Sequence, residues 1–192
     1  MRFRHLTAAD FVRQPWKNGG GSTTQLALEG DDDRWLWRLS AADVERSGPF
    51  SDFAGYERTI MLLEGDGMDL EIDGRVAPLR TPFEPFVFDG AAKTTCTLAG
   101  GPVRDLNLMV DRKRARGSVQ VVHPDHFRGA RIDAPWALVH ALRGWTRIAM
   151  PGVDVSLAPG ELLRLDDPRG AELSLLGLER GARVALILIR SR

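Results

Sequence analysis

Cysteine is nearly absent: Cys96 is the only one among 192 residues. A lone cysteine cannot close an internal disulfide, so the chain is expected in a reducing compartment, the cytoplasm. Cys96 lies in Lys93-Thr94-Thr95-Cys96-Thr97-Leu98, which alternates like a strand, and it reads as a small buried hydrophobe. A nucleophilic thiol would need a positioned base, and the sequence points to none. Histidine is scarce too, with four in all and none between His5 and His123. His123-Pro124-Asp125-His126 has a loose two-histidine spacing, but its proline argues against a helix that would align the rings. His140 alternates with apolar residues and reads as a core histidine. No metal and no cofactor are expected. Net charge is also missing: 26 basic and 26 acidic residues cancel, which removes the electrostatic argument for nucleic acid or for an anionic membrane surface. The longest apolar run, Val184 to Ile189, is far too short to span a bilayer, and Met1-Arg2-Phe3-Arg4-His5 has no signal-peptide core. The nucleophile-elbow and Walker A patterns do not occur, and no acidic pair can be set across one pocket.

What the sequence has in quantity is punctuation. The 20 glycines and 11 prolines fall at short intervals. Between them lie strand-length apolar stretches such as Thr24 to Leu28, Trp35 to Ser40, Thr59 to Leu63, Met68 to Ile72, Leu106 to Val110 and Arg183 to Ile189. One stretch reads as helix: Thr7-Ala8-Ala9-Asp10 looks like a capping box, with a turn of helix running to Gln14 before Pro15 stops it. This pattern gives an all-β fold with little helix, a sandwich or barrel. An internal repeat sharpens it. Met61-Leu62-Leu63-Glu64-Gly65, Gly74, Leu79, Pro82, Glu84, Phe86, Phe88 and Asp89 are echoed by His140-Ala141-Leu142-Arg143-Gly144, Gly152, Leu157, Pro159, Glu161, Leu163, Leu165 and Asp166. The alternative is chance likeness between two hairpins. The basic stretch Asp111 to Arg116 lies between apolar runs and reads as a solvated connection. The seam between the copies is placed there, giving halves 1–115 and 116–192.

Two features could carry chemistry. In Pro15-Trp16-Lys17-Asn18-Gly19-Gly20-Gly21-Ser22-Thr23, the glycines allow positive φ and close approach. Either the chain simply crosses a barrel rim here, or Trp16 and Asn18 stand at a pocket mouth beside exposed glycine amides. The second feature is parity, because alternate residues of a strand share a face. Arg38 and Ser40 share one face, with Trp37 and Leu39 on the other. Arg58 opens a nearly all-apolar strand. Asp105 and Asn107 share a face opposite Leu106 and Leu108. If these strands are neighbours, two guanidiniums, a hydroxyl and an amide converge, a set suited to a small carboxylate. Otherwise Asp105 pairs with Arg38 or Arg58 and the cluster satisfies only itself. Ser40-Ala41-Ala42-Asp43 also matches a capping box, but the preceding alternation favours a strand.

Taken together and in order, Trp16-Lys17-Asn18-Gly19-Gly20-Gly21-x-Thr23, Trp37-Arg38-Leu39-Ser40, Gly48-Pro49-Phe50-Ser51, Phe53-x-Gly55-x-x-Arg58 and Asp105-Leu106-Asn107-Leu108-Met109 resemble the HutD/Ves family. The resemblance implies a bicupin, two cupin-like β-barrel halves in one chain. The usual cupin metal set of a His-x-His, a glutamate and a later histidine is not matched: Gly65 to Asp69 reads Gly-Asp-Gly-Met-Asp. For the HutD branch the resemblance implies a link to histidine utilisation as a regulator or ligand sensor rather than as an enzyme. The implied ligand is a small carboxylate such as formate, or a formyl or formimino amino acid. The expected ligand-binding set is Trp16, Asn18, Arg38, Ser40, Arg58, Asp105 and Asn107. A metal-independent cupin isomerase or hydrolase, with Asp105 as its acid or base, is the alternative. An interaction module is the third reading. Exposed strand edges leave a homodimer open.

Overall fold

The structure, a computed structural model, describes residues 1–31 and 34–192. In chain order, β1 spans Arg2–Leu6, β2 Val12–Pro15, β3 Gly21–Asp31, β4 Arg34–Val44, β5 Gly48–Pro49 and β6 Tyr56–Glu64. Then come β7 at Met68–Ile72, β8 at Arg75–Leu79, β9 at Phe86–Asp89, β10 at Thr94–Leu98 and β11 at Val103–Asp111. The rest are β12 at Ala115–Val122, β13 at Ala130–Arg131, β14 at Trp136–Arg143, β15 at Thr146–Met150, β16 at Val153–Leu157, β17 at Leu162–Asp166, β18 at Glu172–Gly177 and β19 at Arg183–Ser191. Helix among the described residues is limited to two single 3-10 turns, Ala8–Asp10 and Pro124–His126. The fold is all-β, with four sheets of antiparallel ladders.

The chain forms two compact units, Val12–Ala115, and Met1–Phe11 together with Arg116–Arg192. In the first, a six-stranded sheet of order β2-β3-β4-β11-β6-β9 packs on a four-stranded one of order β5-β10-β7-β8. The core between them draws Val44, Ile60 and Leu62 from the larger sheet and Met68, Leu70 and Cys96 from the smaller. In the second unit the orders are β1-β17-β14-β19-β12 and β13-β18-β15-β16. Its core contains Ala137, Val139, Ala141, Leu163, Leu165, Val184 and Leu186.

The register makes the internal repeat concrete. Arg58 lies between Phe88 of β9 and Met109 of β11. Ala137 lies between Leu165 of β17 and Leu188 of β19 in the same way. By the same pairing, Ile60 and Asn107 correspond to Val139 and Leu186, and Leu62 and Asp105 to Ala141 and Val184. The first hairpin turn of each copy has a glycine in the left-handed region, Gly74 and Gly152, both at φ +78°.

Two expectations need correction. The helix expected to run to Gln14 stops at Asp10: the Thr7 capping box is present, but Val12–Pro15 pairs with β3 as a strand. The half expected at 1–115 begins at Val12, because β1 pairs along its whole length with β17 and takes Met1–Phe11 into the other unit. Ser40 lies inside β4, as the alternation indicates, and starts no helix.

Candidate functional site

The strands β4, β11 and β6 are neighbours in one sheet, and their register sets Arg38, Met109 and Arg58 in one row across it. One row deeper, Ser40 stands beside Asn107. The next row brings Ala42 beside Asp105. Along each strand the inner face therefore grades from apolar at one end, with Val44, Leu62 and Val103, to polar at the other. The polar end opens into a cavity of about 350 Å³. Trp16, Asn18, Arg38, Ser40, Arg58, Asp105 and Asn107 all line it.

The buried polar groups form a short relay. Arg58 Nη2 donates to Asn107 Oδ1 at 2.8 Å, and Asn107 Nδ2 donates to Asp105 Oδ1. Asp105 is ion-paired to neither arginine among the described residues, and its Oδ2 is buried without a hydrogen-bond partner. The pairing in which Asp105 neutralises Arg38 or Arg58 directly is thus not what the structure contains. Arg38 Nε and Arg58 Nε are buried and unpartnered as well. Burial pushes the Asp105 carboxyl up to about 7; Arg58 pulls it down and Asp43 adds to the rise. Burial pushes the Arg58 guanidinium down to about 10, with Asp105 opposing and Arg38 reinforcing. Burial also lowers Arg38.

Aromatic rings hold both guanidiniums in place. Arg58 lies 4.8 Å from the centre of the Phe88 ring, 5.2 Å from Phe50 and 5.4 Å from Phe53. Arg38 lies 4.8 Å from Trp35. Each such contact contributes about 0.5–2 kcal/mol, most where water is excluded. Sequence reasoning did not assign these rings to the site. Phe50 and Phe53 carried a signal, since both fall in the motif stretches, while Phe88 comes from a strand distant in sequence. Lys17, Ser51 and Thr23 also line the cavity and were not assigned to it.

The rim is a tight turn. Trp16 N donates to Gly21 O, and Gly19 N to Trp16 O. The Trp16 indole Nε1 donates to Thr23 Oγ1 at 2.8 Å, and Asn18 Oδ1 accepts from Gly20 N at 2.9 Å. The amides of Gly19 and Gly20 are therefore used inside the turn. They are not exposed beside Trp16 and Asn18, unlike in the pocket-mouth alternative, because the Asn18 side chain folds back onto the loop.

The donor set does not suit a cation. Guanidiniums cannot ligate and would repel one, and Asp105 offers the single carboxyl of the lining. Among the described residues no group of three or more His, Cys, Asp or Glu side chains is placed to hold a metal ion. Cys96 is buried with Sγ 3.5 Å from Met68 Sδ, and burial pushes its thiol up to about 11. His140 is buried, with Nδ1 3.1 Å from the Glu161 carbonyl.

The two barrels and the arginine-lined cavity define a bicupin with a cationic pocket in its first unit. The HutD family model matches residues 8–183, and the chain belongs to that family. It is 40% identical over 190 residues to the uncharacterized 21.2 kDa protein in the hutC 3′ region of Pseudomonas putida, covering 97% of each. Among solved structures, it resembles the conserved protein PA5104 of Pseudomonas aeruginosa PAO1, with a TM-score of 0.90, 36% identity and full coverage of both chains. HutD from Pseudomonas fluorescens SBW25, in a formate condition, gives 0.86 and 34%, again with full coverage.

Proposed function

We propose that this chain is a non-catalytic binding protein for a small carboxylate, acting in the context of histidine utilisation. One observation carries the reading: Arg38 and Arg58 stand in the same row of one sheet, face one cavity, and have no carboxylate ion-paired to either among the described residues. Unpaired guanidinium N–H groups in a shielded cavity are costly unless an anion completes them. Arg58 is preset by its ring cage and by Asn107, so little ordering remains to be done on binding. The formate condition of the relative from Pseudomonas fluorescens fits the same chemistry.

Calorimetry with formate, urocanate, formiminoglutamate and glutamate tests the reading. At least one is expected to bind, and Arg58→Ala is expected to weaken it at least tenfold, since a charge-assisted hydrogen bond is worth about 1.5–3 kcal/mol. Arg38→Ala, which breaks no hydrogen bond within the described protein, is the companion variant and should also weaken binding. Absence of heat with all four acids, in protein shown to be folded, sinks the proposal. One observation favours a second reading. Asp105, raised to about 7, could serve as acid or base in a metal-independent isomerase or hydrolase. Turnover that vanishes in Asp105→Asn while binding persists would establish it.

A further inference from the structure

Three cationic side chains line the cavity, and they come from different elements. Arg38 and Arg58 rise from β4 and β6, while Lys17 belongs to the rim turn. None of the three is ion-paired among the described residues. Arg58 donates to a neutral amide, Arg38 stacks on Trp35, and Lys17 is exposed at the mouth. The one carboxyl in the lining, Asp105, lies at the buried end and is bonded to Asn107. Elsewhere on the same unit, cations without an ion pair among the described residues, such as Arg75, Lys93 and Lys113, are exposed to solvent, and Arg13, Arg80 and Arg112 are matched by Asp43, Asp69 and Asp89. What sets this cavity apart is that two of its unmatched cations have buried guanidinium nitrogens. Its unmatched charge is divided between a deep pair and a single group at the rim.

A one-carbon acid would satisfy the arginine pair and leave Lys17 facing solvent. The cavity volume of about 350 Å³ lies in the range of pockets that take a whole small metabolite, about 300–1,000 Å³. Resting on the carboxylate reading, we infer that the natural ligand is a small dicarboxylate, with its inner carboxylate on Arg38 and Arg58 and its outer carboxylate read by Lys17. Lys17 is then a specificity residue: it selects for a second negative charge, and the arginines supply most of the affinity. Trp16 and Asn18, on either side of it in the turn, bound the path between the two ends.

The test compares acids matched in length and shape. Succinate, glutarate and adipate are each titrated calorimetrically against the half-amide of the same chain, which keeps one carboxylate and replaces the other by a neutral group. In the wild type the best diacid is expected to bind about three- to tenfold tighter than its half-amide at low salt, the size of a partly exposed ion pair. Lys17→Gln should bring that ratio to within about twofold. Lys17 is exposed on a turn, so this variant leaves the core untouched. Raising the salt to about 0.5 M should shrink the ratio in the wild type, because an exposed pair is screened. Parity of every diacid with its half-amide overturns the inference and leaves the carboxylate reading standing. So does a preference that survives Lys17→Gln. If neither diacids nor half-amides bind while formate or urocanate does, the inference falls alone; if none of these acids binds, both fall.

Discussion

Asp105 is wholly buried, with one carboxyl oxygen bonded to Asn107 and the other unpartnered. Its carboxyl stands near 7 in the folded chain against 3.8 as the ordinary value, so the native state holds a proton that the unfolded state releases. Stability contributed by this group is therefore greatest below about pH 4 and falls as pH rises towards 7. Above 7 the native carboxyl is ionised without an ion pair, and the loss levels off. Asp105→Asn keeps an acceptor for Asn107 Nδ2 and removes the charge. Its melting temperature should match the wild type below about pH 4, exceed it increasingly between pH 4 and 7, and run parallel above. Thermal unfolding across pH 3.5 to 8.5 checks this expectation. A constant gap between the two proteins would contradict it. Polar residues such as Arg38, Ser40, Asp105 and Asn107 could be read from the sequence because a strand's period of two exposes a polar group among apolar neighbours. Their hydrogen bonds could not. Parity fixes a face, but only the register shows that Asn107 stands between Arg58 and Asp105. The ring cage was hidden for the same reason, since Phe88 meets Arg58 only through the pairing of β6 with β9.

At the scale of elements, the rim turn from Trp16 to Gly21 depends on backbone that side chains would obstruct. Gly19 sits at φ +66°, in the left-handed region. A Cβ at Gly21 would run into the Asp43 carbonyl oxygen and lie 3.2 Å from the Trp16 ring. Gly21→Ala should therefore cost about 2 kcal/mol or more, because backbone is what would have to move. It should weaken carboxylate binding as well by displacing Trp16. Gly48→Ala is the control: its Cβ meets nothing within 4 Å and its φ is ordinary. It should be neutral or stabilising by up to about 1 kcal/mol. Urea unfolding of the two variants beside the wild type checks the contrast; equal losses would show that contact at Gly21 is not what matters. The glycine run announced this turn in the sequence, but not how its amides are used. Strand β2 is not legible in the sequence, where Pro15 reads as a helix stop. In the sheet it falls at the end of a short edge strand, where proline is tolerated.

Across the whole molecule, the same topology occurs twice with opposite interiors. Arg58, Asp105 and Asn107 occupy positions that Ala137, Val184 and Leu186 hold in the second unit, by the register of the corresponding strands. All three of the latter belong to an apolar core. A duplicated barrel can thus keep a pocket in one copy and fill it in the other, because a few inward-facing positions decide whether the centre is polar or packed. The repeat made the duplication visible in the sequence. It could not reveal that Met1–Phe11 joins the second unit, since a strand's partner is set by long-range pairing that local pattern does not encode. If the second unit is scaffold, damage there should lower stability and leave recognition intact. Leu163 is wholly buried in its core, and Leu163→Ala removes packed methyl groups at a cost of about 2–5 kcal/mol. Chemical unfolding should show that loss. Calorimetry at a temperature where the variant remains folded should give a carboxylate Kd within about twofold of the wild type. Arg58→Ala, at a temperature where it too remains folded, should give the reverse in recognition, with binding lost, because it removes the guanidinium that faces the cavity. A Leu163→Ala protein that is folded yet has lost its ligand would mean that the second barrel takes part in recognition.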